Sequence, residues 1–211
     1  MVKISASILS KRNLDTINEL NQLDIDYFHI DVMDGEFVSN ISFSLEELNK
    51  FEGSFQKPLD VHLMVNNPDN YFETLKRLNT EYVTIHYEIL KDEELLNKIK
   101  DYGFKCGISL NPQTPIESIY PYLQKIDLVL IMSVDPGYGG QPFLFNSLSR
   151  IKSLKEEINN QQVNVLVSID GGINLINYQE ISKYKPDLVV LGTSLIDSLQ
   201  PNDLISKFRE M

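Results

Sequence analysis

Four side chains in this 211-residue chain have the types needed to hold a metal ion and move a proton. His29 and Asp31 stand two apart in YFHIDVMDG, His62 lies in LDVHLMV, and Asp170 ends LVSID. Two imidazoles and two carboxylates suit one borderline divalent ion and leave room for substrate oxygens. Zinc (Zn2+) is the leading occupant, with Fe2+, Mn2+ or Co2+ as alternatives. Carboxylates on different strands also suit an acid and a base acting on opposite faces of a bound substrate. A bound metal lowers their pKa values while desolvation and mutual repulsion raise them, which favours one ionised and one protonated partner. The chemistry indicated is proton removal beside a carbonyl, with a Lewis acid to stabilise the enediolate that develops. From residue types alone, hydrogen-bonded histidines in an ordinary core strand remain an alternative, because no HxxxH-type spacing marks a metal site.

The elements that must position these residues follow from hydrophobic periodicity. In residues 27–33 a period of two puts His29, Asp31 and Met33 on one face and Phe28, Ile30 and Val32 on the other. Strand-like runs cover 3–8, 27–33, 59–65, 82–87, 105–110, 128–134, 163–169 and 188–192. Amphipathic helical patterns fill most intervals, among them 13–23, 68–78, 92–102, 115–126 and 144–158. This alternation predicts an α/β chain forming a single (β/α)8 TIM barrel over residues 1–211. A doubly wound open sheet is the competing architecture, and its dinucleotide form lacks the expected GxGxxG after the first strand. All three histidines, His29, His62 and His86, fall toward the carboxyl ends of strands, as do Met33, Met64 and Met132. A barrel brings those ends to one mouth.

The loops after the last three strands read DPGYGGQPF (Gly137, Gly139, Gly140), DGGI (Gly171, Gly172) and LGTS (Gly192, Thr193), with no lysine or arginine. Glycine lets backbone N–H groups approach an anion, so these loops suit a phosphate. A net charge of −11 and a pI near 4.7 argue against nucleic acid or an anionic membrane as partner. Cys106 is the only cysteine, which excludes an intrachain disulfide framework. The start, MVKISASILSKR, lacks a signal-peptide core, and no apolar run is long enough to span a bilayer. A cytoplasmic location, with no membrane partner, is expected.

Taken in order, SILS at 7–10, HIDVMDG followed by FV and NISF, LDVHLMV, LNPQTP, LVLIMSVDPGYGGQPF, IDGGI and GTS resemble the ribulose-phosphate 3-epimerase family and its sugar-phosphate epimerase relatives over nearly the whole chain. The resemblance implies a (β/α)8 barrel that epimerises a ketose phosphate at C3, D-ribulose 5-phosphate to D-xylulose 5-phosphate, with one divalent metal ion. It assigns His29, Asp31, His62 and Asp170 as metal ligands and Asp31 and Asp170 as the acid/base pair. It makes Ser7, His62, Met33, Met64 and Met132 substrate-side residues and Gly139, Gly140, Gly171, Gly172, Gly192 and Thr193 the phosphate cradle. Homo-oligomerisation is left open. Departures from the pattern are Ala6 and Ser39, where proline is usual, Glu36, often histidine, and Ser168, often glutamate. Ser168 lies two residues before Asp170 and is expected to bear on its surroundings. An allulose 6-phosphate 3-epimerase is the second reading. A metal-free decarboxylase or synthase is disfavoured because Lys3, Lys57 and Lys105 stand at strand starts, and a silent binding barrel because every ligand is retained.

Overall fold

The computed structural model describes residues 1–211. Its strands are β1 (Lys3–Ser7), β2 (Tyr27–Met33), β3 (Leu59–Met64), β4 (Thr80–His86), β5 (Lys105–Leu110), β6 (Leu128–Met132), β7 (Leu166–Asp170) and β8 (Leu188–Leu191). All pairings are parallel and sequential, and β8 returns to β1 to close a barrel. The helices are α1 (Leu14–Asn21), α2 (Leu45–Lys50), α3 (Phe72–Arg77), α4 (Glu94–Asp101), α5 (Ser147–Gln161), α6 (Tyr178–Ser182), α7 (Thr193–Ile196) and α8 (Pro201–Arg209). The predicted (β/α)8 architecture is therefore the observed one.

Local sequence explains the helix starts. Asn13 caps α1 by accepting from the Thr16 N–H at 2.9 Å. Ser44 and Glu47 form a reciprocal capping box at α2. Most boundaries shift by one to three residues from the periodic reading, and three of the differences have a clear local cause. Strand β7 begins at Leu166, not 163, because α5 continues to Gln161 and Gln162 turns left-handed with φ 56°. The Val163 N–H then bonds back to Ile158 O, so Val163 belongs to the helix exit. The 68–78 pattern opens as a 3-10 turn at Pro68–Tyr71 before α3, and the 115–126 pattern is 3-10 throughout Ile116–Lys125, with Pro121 inside. Proline supplies no N–H and clashes with an α-helical turn before it.

The strand faces divide the interior into two cores. Phe28, Ile30 and Val32 join an outer apolar cluster of 48 buried residues between barrel and helices. The inside carries a smaller cluster of 8, including Leu128, Leu130 and Met132 on β6 and Leu188 and Val190 on β8. Strands β1 to β5 fill their side of the lumen with polar groups: Ser5, His29, Asp60, Thr84 and Ser109 are all buried. At the amino end the lumen is closed by Tyr27 and Tyr82, edge to face at 5.6 Å. Lys3 donates to the Tyr27 hydroxyl at 3.0 Å and Lys105 to Glu81 at 2.8 Å, so these lysines stay at the end opposite the histidines.

A recurring aspartate fixes the register. Asp26, Asp127 and Asp187 each stand just before a strand and accept, through Oδ2 at 2.8 Å, the backbone N–H of Ile4, Cys106 and Val167 in the strand before. Each also donates its own N–H to the carbonyl of that same residue. The clamps join β1 to β2, β5 to β6 and β7 to β8, and Arg209 of α8 bonds Asp26 at 2.9 Å.

Candidate active site

At the carboxyl ends of the strands the barrel opens into a pocket of ≈ 240 Å³. Ser7, Asp31, Met33, Met64, Met132 and Asp170 form its floor and walls. Gly139, Gly140, Gly171, Gly172, Gly192 and Thr193 line it from the three glycine-bearing loops. His29 and His62 do not line the pocket and are fully buried beneath it.

Strand register brings the polar groups together. Ser7 pairs with His29, Asp31 with His62, and Met132 with Asp170 across neighbouring strands. One ligand atom from each of His29, Asp31, His62 and Asp170 lies within 4.8 Å of all the others. Asp31 Oδ1 faces His29 Nε2 at 3.2 Å and His62 Nδ1 at 3.1 Å, while Asp31 Oδ2 accepts from the Ser7 hydroxyl at 3.1 Å. Asp60 Oδ2 accepts from His29 Nδ1 at 2.8 Å and from Ser5 Oγ at 3.0 Å. The donor set fits a divalent cation: two nitrogens and two carboxylates converge, and the far nitrogen of each imidazole already has a partner.

The electrostatics separate the two aspartates. Burial opposes ionisation of Asp31, yet His29 and His62 outweigh it and hold the carboxyl well below the usual range. Asp170 goes the other way, raised from 3.8 to about 7 by burial and by the nearby charge of Asp31. Burial works against a charge on His29, but Asp31 and Asp60 raise its pKa well above 6.5.

These shifts predict a pH dependence for the metal-free protein. A raised folded-state pKa at Asp170 contributes stability that is complete below pH 3.8 and lost as pH rises to about 7. His29 acts in the same sense, its contribution present below pH 6.5 and lost as pH rises through its higher folded value. His86, lowered to about 4 by burial, works in the opposite sense and gains stability as pH rises from about 4 to 6.5, so His86 and Asp170 largely offset each other. Thermal melts of Asp170→Asn in chelator should therefore rise more steeply with pH between about 4 and 7 than those of the wild type. An unchanged slope in that variant contradicts the assignment.

The DGGI turn is built by steric necessity. Gly171 has φ +119° and Gly172 φ +63°, and a Cβ on Gly172 would lie 2.7 Å from Gln141 O and 2.9 Å from Phe143 N. The turn thus seats directly on the backbone of the loop after β6, and the Ser133 hydroxyl ties it down by donating to the carbonyls of Asp170 and Gly171. Gly172→Ala should cost about 1–3 kcal/mol from backbone strain alone, with more from the clash. Urea unfolding with the m-value held constant measures it.

Several residues entered the site only with the structure. Asp60 shares a strand face with His62, but its bond to His29 depends on the β2–β3 pairing of His29 with Asp60. His86 and Ser109, neighbours on β4 and β5, both reach His62 Nε2, at 2.9 and 3.1 Å. Ser194, beside Thr193, lines the pocket with a buried hydroxyl that has no protein partner. Of the departures noted above, Ala6 faces the outer core, Glu36 bonds Asn66 at 3.3 Å, and Ser39 bonds Tyr138 at 2.8 Å across the mouth. The buried Ser168 hydroxyl makes no hydrogen bond, to Asp170 or to any other group.

The family model described as the ribulose-phosphate 3 epimerase family matches residues 3–196. A ribulose-phosphate 3-epimerase of Buchnera aphidicola is 35% identical, covering 99% of this chain and 94% of its own length. One from Helicobacter pylori is 38% identical over 93% of this chain and 92% of its own. One from Bacillus subtilis is 33% identical over 99% of both. Among solved structures, a monomeric form of phosphoribosylanthranilate isomerase from Thermotoga maritima covers 100% of this chain and 97% of its own, with a TM-score of 0.69 at 16% identity, a likeness of fold alone.

Proposed function

Since the chain belongs to the ribulose-phosphate 3-epimerase family and is an isomerase, we propose that it inverts C3 of D-ribulose 5-phosphate to give D-xylulose 5-phosphate by proton transfer between two aspartates. The observation that carries this reading is the placement of Asp31 and Asp170 on one pocket floor, in a cluster with His29 and His62 whose ligand atoms lie within 4.8 Å of one another. An ionised carboxylate and a protonated one on two sides of a substrate carbon are the base and the acid that inversion needs.

His29, Asp31, His62 and Asp170 would hold the divalent ion. Such an ion supplies positive charge where the substrate's carbonyl oxygen turns negative. Asp31, steered by the Ser7 hydroxyl, takes the C3 proton from one face. Asp170 returns a proton to the other, and the direction of reaction decides which aspartate begins as base. Met33, Met64 and Met132 keep water from the reacting carbon. The phosphate sits against the backbone of the DGGI and LGTS loops, with the Ser194 hydroxyl as a further donor.

The test is an epimerase assay on ribulose 5-phosphate and allulose 6-phosphate, run after chelation with Zn2+, Fe2+, Mn2+ and Co2+ restored in turn. Turnover of the pentulose phosphate should be much the faster. A hexulose phosphate turning over much faster sinks the substrate assignment.

A further inference from the structure

Building on the metal-dependent reading, we propose that Glu88 and His86 are positioning residues, which hold His62 in the tautomer whose Nδ1 lone pair faces the metal seat. His62 points Nδ1 at Asp31 in the seat and Nε2 at His86 Nε2, 2.9 Å away, and at Ser109 Oγ, 3.1 Å away. An imidazole that offers Nδ1 to a cation carries its hydrogen on Nε2 and must donate it. His86 Nε2 can accept that hydrogen only if it is unprotonated, which leaves the His86 hydrogen on Nδ1. That nitrogen lies 3.1 Å from Glu88 Oε2. The His86 hydrogen then has one place to go, and the His62 hydrogen lies between His86 Nε2 and the more distant Ser109 Oγ.

The end of the line is rigid. Glu88 follows His86 in HYE, and the 3-10 turn Tyr87–Ile89 folds its carboxylate back over the histidine. Its other oxygen accepts from the Asn111 N–H at 2.9 Å and from the Thr114 hydroxyl, so the loop after β5 holds it independently of His86. The His62 and His86 rings meet edge to edge with centroids 4.9 Å apart, and Phe37 covers His86 at 4.6 Å. His29 reaches Asp60 directly, whereas His62 reaches Glu88 through a second imidazole, so both histidines of the seat end on a carboxylate.

The experiment strips the full-length protein of metal and measures Zn2+ affinity by competition with a chromophoric chelator. Wild type is compared with Glu88→Ala, Glu88→Gln and His86→Phe, with melts of the metal-free forms recorded in parallel. Glu88→Ala and His86→Phe should bind Zn2+ about 10–100-fold more weakly. Glu88→Gln should lose as much, because its single amide oxygen stays with the Asn111 N–H and the Thr114 hydroxyl and its NH2 then faces His86 Nδ1. Lower melts with unchanged Zn2+ affinity would assign both residues a structural role and overturn the proposal. Wild-type Zn2+ affinity in Glu88→Gln overturns the tautomer argument. Wild type that binds no Zn2+ takes the metal reading down as well, whereas tight binding by wild type and all variants removes the relay alone. If His86→Phe fails to fold, the two Glu88 variants decide.

Discussion

Replacing either Asp31 or Asp170 with Asn is expected to lower kcat for C3 inversion by about 10²–10⁴-fold, the usual contribution of a positioned acid or base. Asn keeps the shape of Asp, so the barrel should persist; the Ser7 hydroxyl can still donate to the amide oxygen at position 31. The informative signature is an asymmetry in hydrogen exchange. With two bases on opposite faces, a variant that retains one aspartate should still exchange the C3 hydrogen of one epimer with solvent deuterium, slowly and without inverting it. The complementary variant should do so for the other epimer. Proton NMR in deuterium oxide reads both exchange and inversion. Near-wild-type turnover in either variant defeats the two-aspartate mechanism, and a wild-type product that carries no solvent hydrogen excludes proton abstraction altogether.

Removing the metal is expected to be comparably severe. Without a cation, Asp31 and Asp170 repel each other, and Asp170 responds by taking up a proton, its pKa raised to about 7 by burial and by that repulsion. The base and acid are then still present, but nothing offsets the charge that develops on the substrate oxygen, and a loss on the order of 10²-fold or more follows. Stability should change with activity. Zn2+ at 100 to 1,000 times its dissociation constant stabilises by about 2.7–4.1 kcal/mol, which raises Tm by roughly 5–16 °C for a chain of this size. Chelated protein with full activity, and a melt that no added metal moves, would falsify metal dependence.

Much of this arrangement was legible in the sequence, for a physical reason. Strands repeat every two residues and barrel strands run parallel, so residues at their carboxyl ends must meet. His29, Asp31, His62 and Asp170 do lie within 4.8 Å. What escaped depends on pairing between strands or on turn geometry. Asp60 shares the strand face of His62, yet its partner is His29 on the adjoining strand. Glu88 gave no periodic signal because a 3-10 turn, not a strand, aims it. The start of β7 was misplaced because Val163 and Val165 look like strand residues, whereas a left-handed Gln162 makes Val163 part of the helix exit. The Pro121 segment likewise has helical periodicity without α-helical hydrogen bonding.

The aspartate clamps at the amino end carry a consequence for the opposite end of the barrel. A strand that slips by one residue exchanges its two faces completely. Asp26 holds β2 against β1 at Ile4, and with that it decides that His29 and Asp31, not Phe28 and Ile30, look into the lumen. Arg209, two residues from the carboxyl terminus, grips the same carboxylate. The last helix therefore acts as a latch on which face of β2 looks into the lumen. Damage at the tail, a barrel length away from the pocket, would reach the chemistry by turning a strand over without altering any side chain in the site.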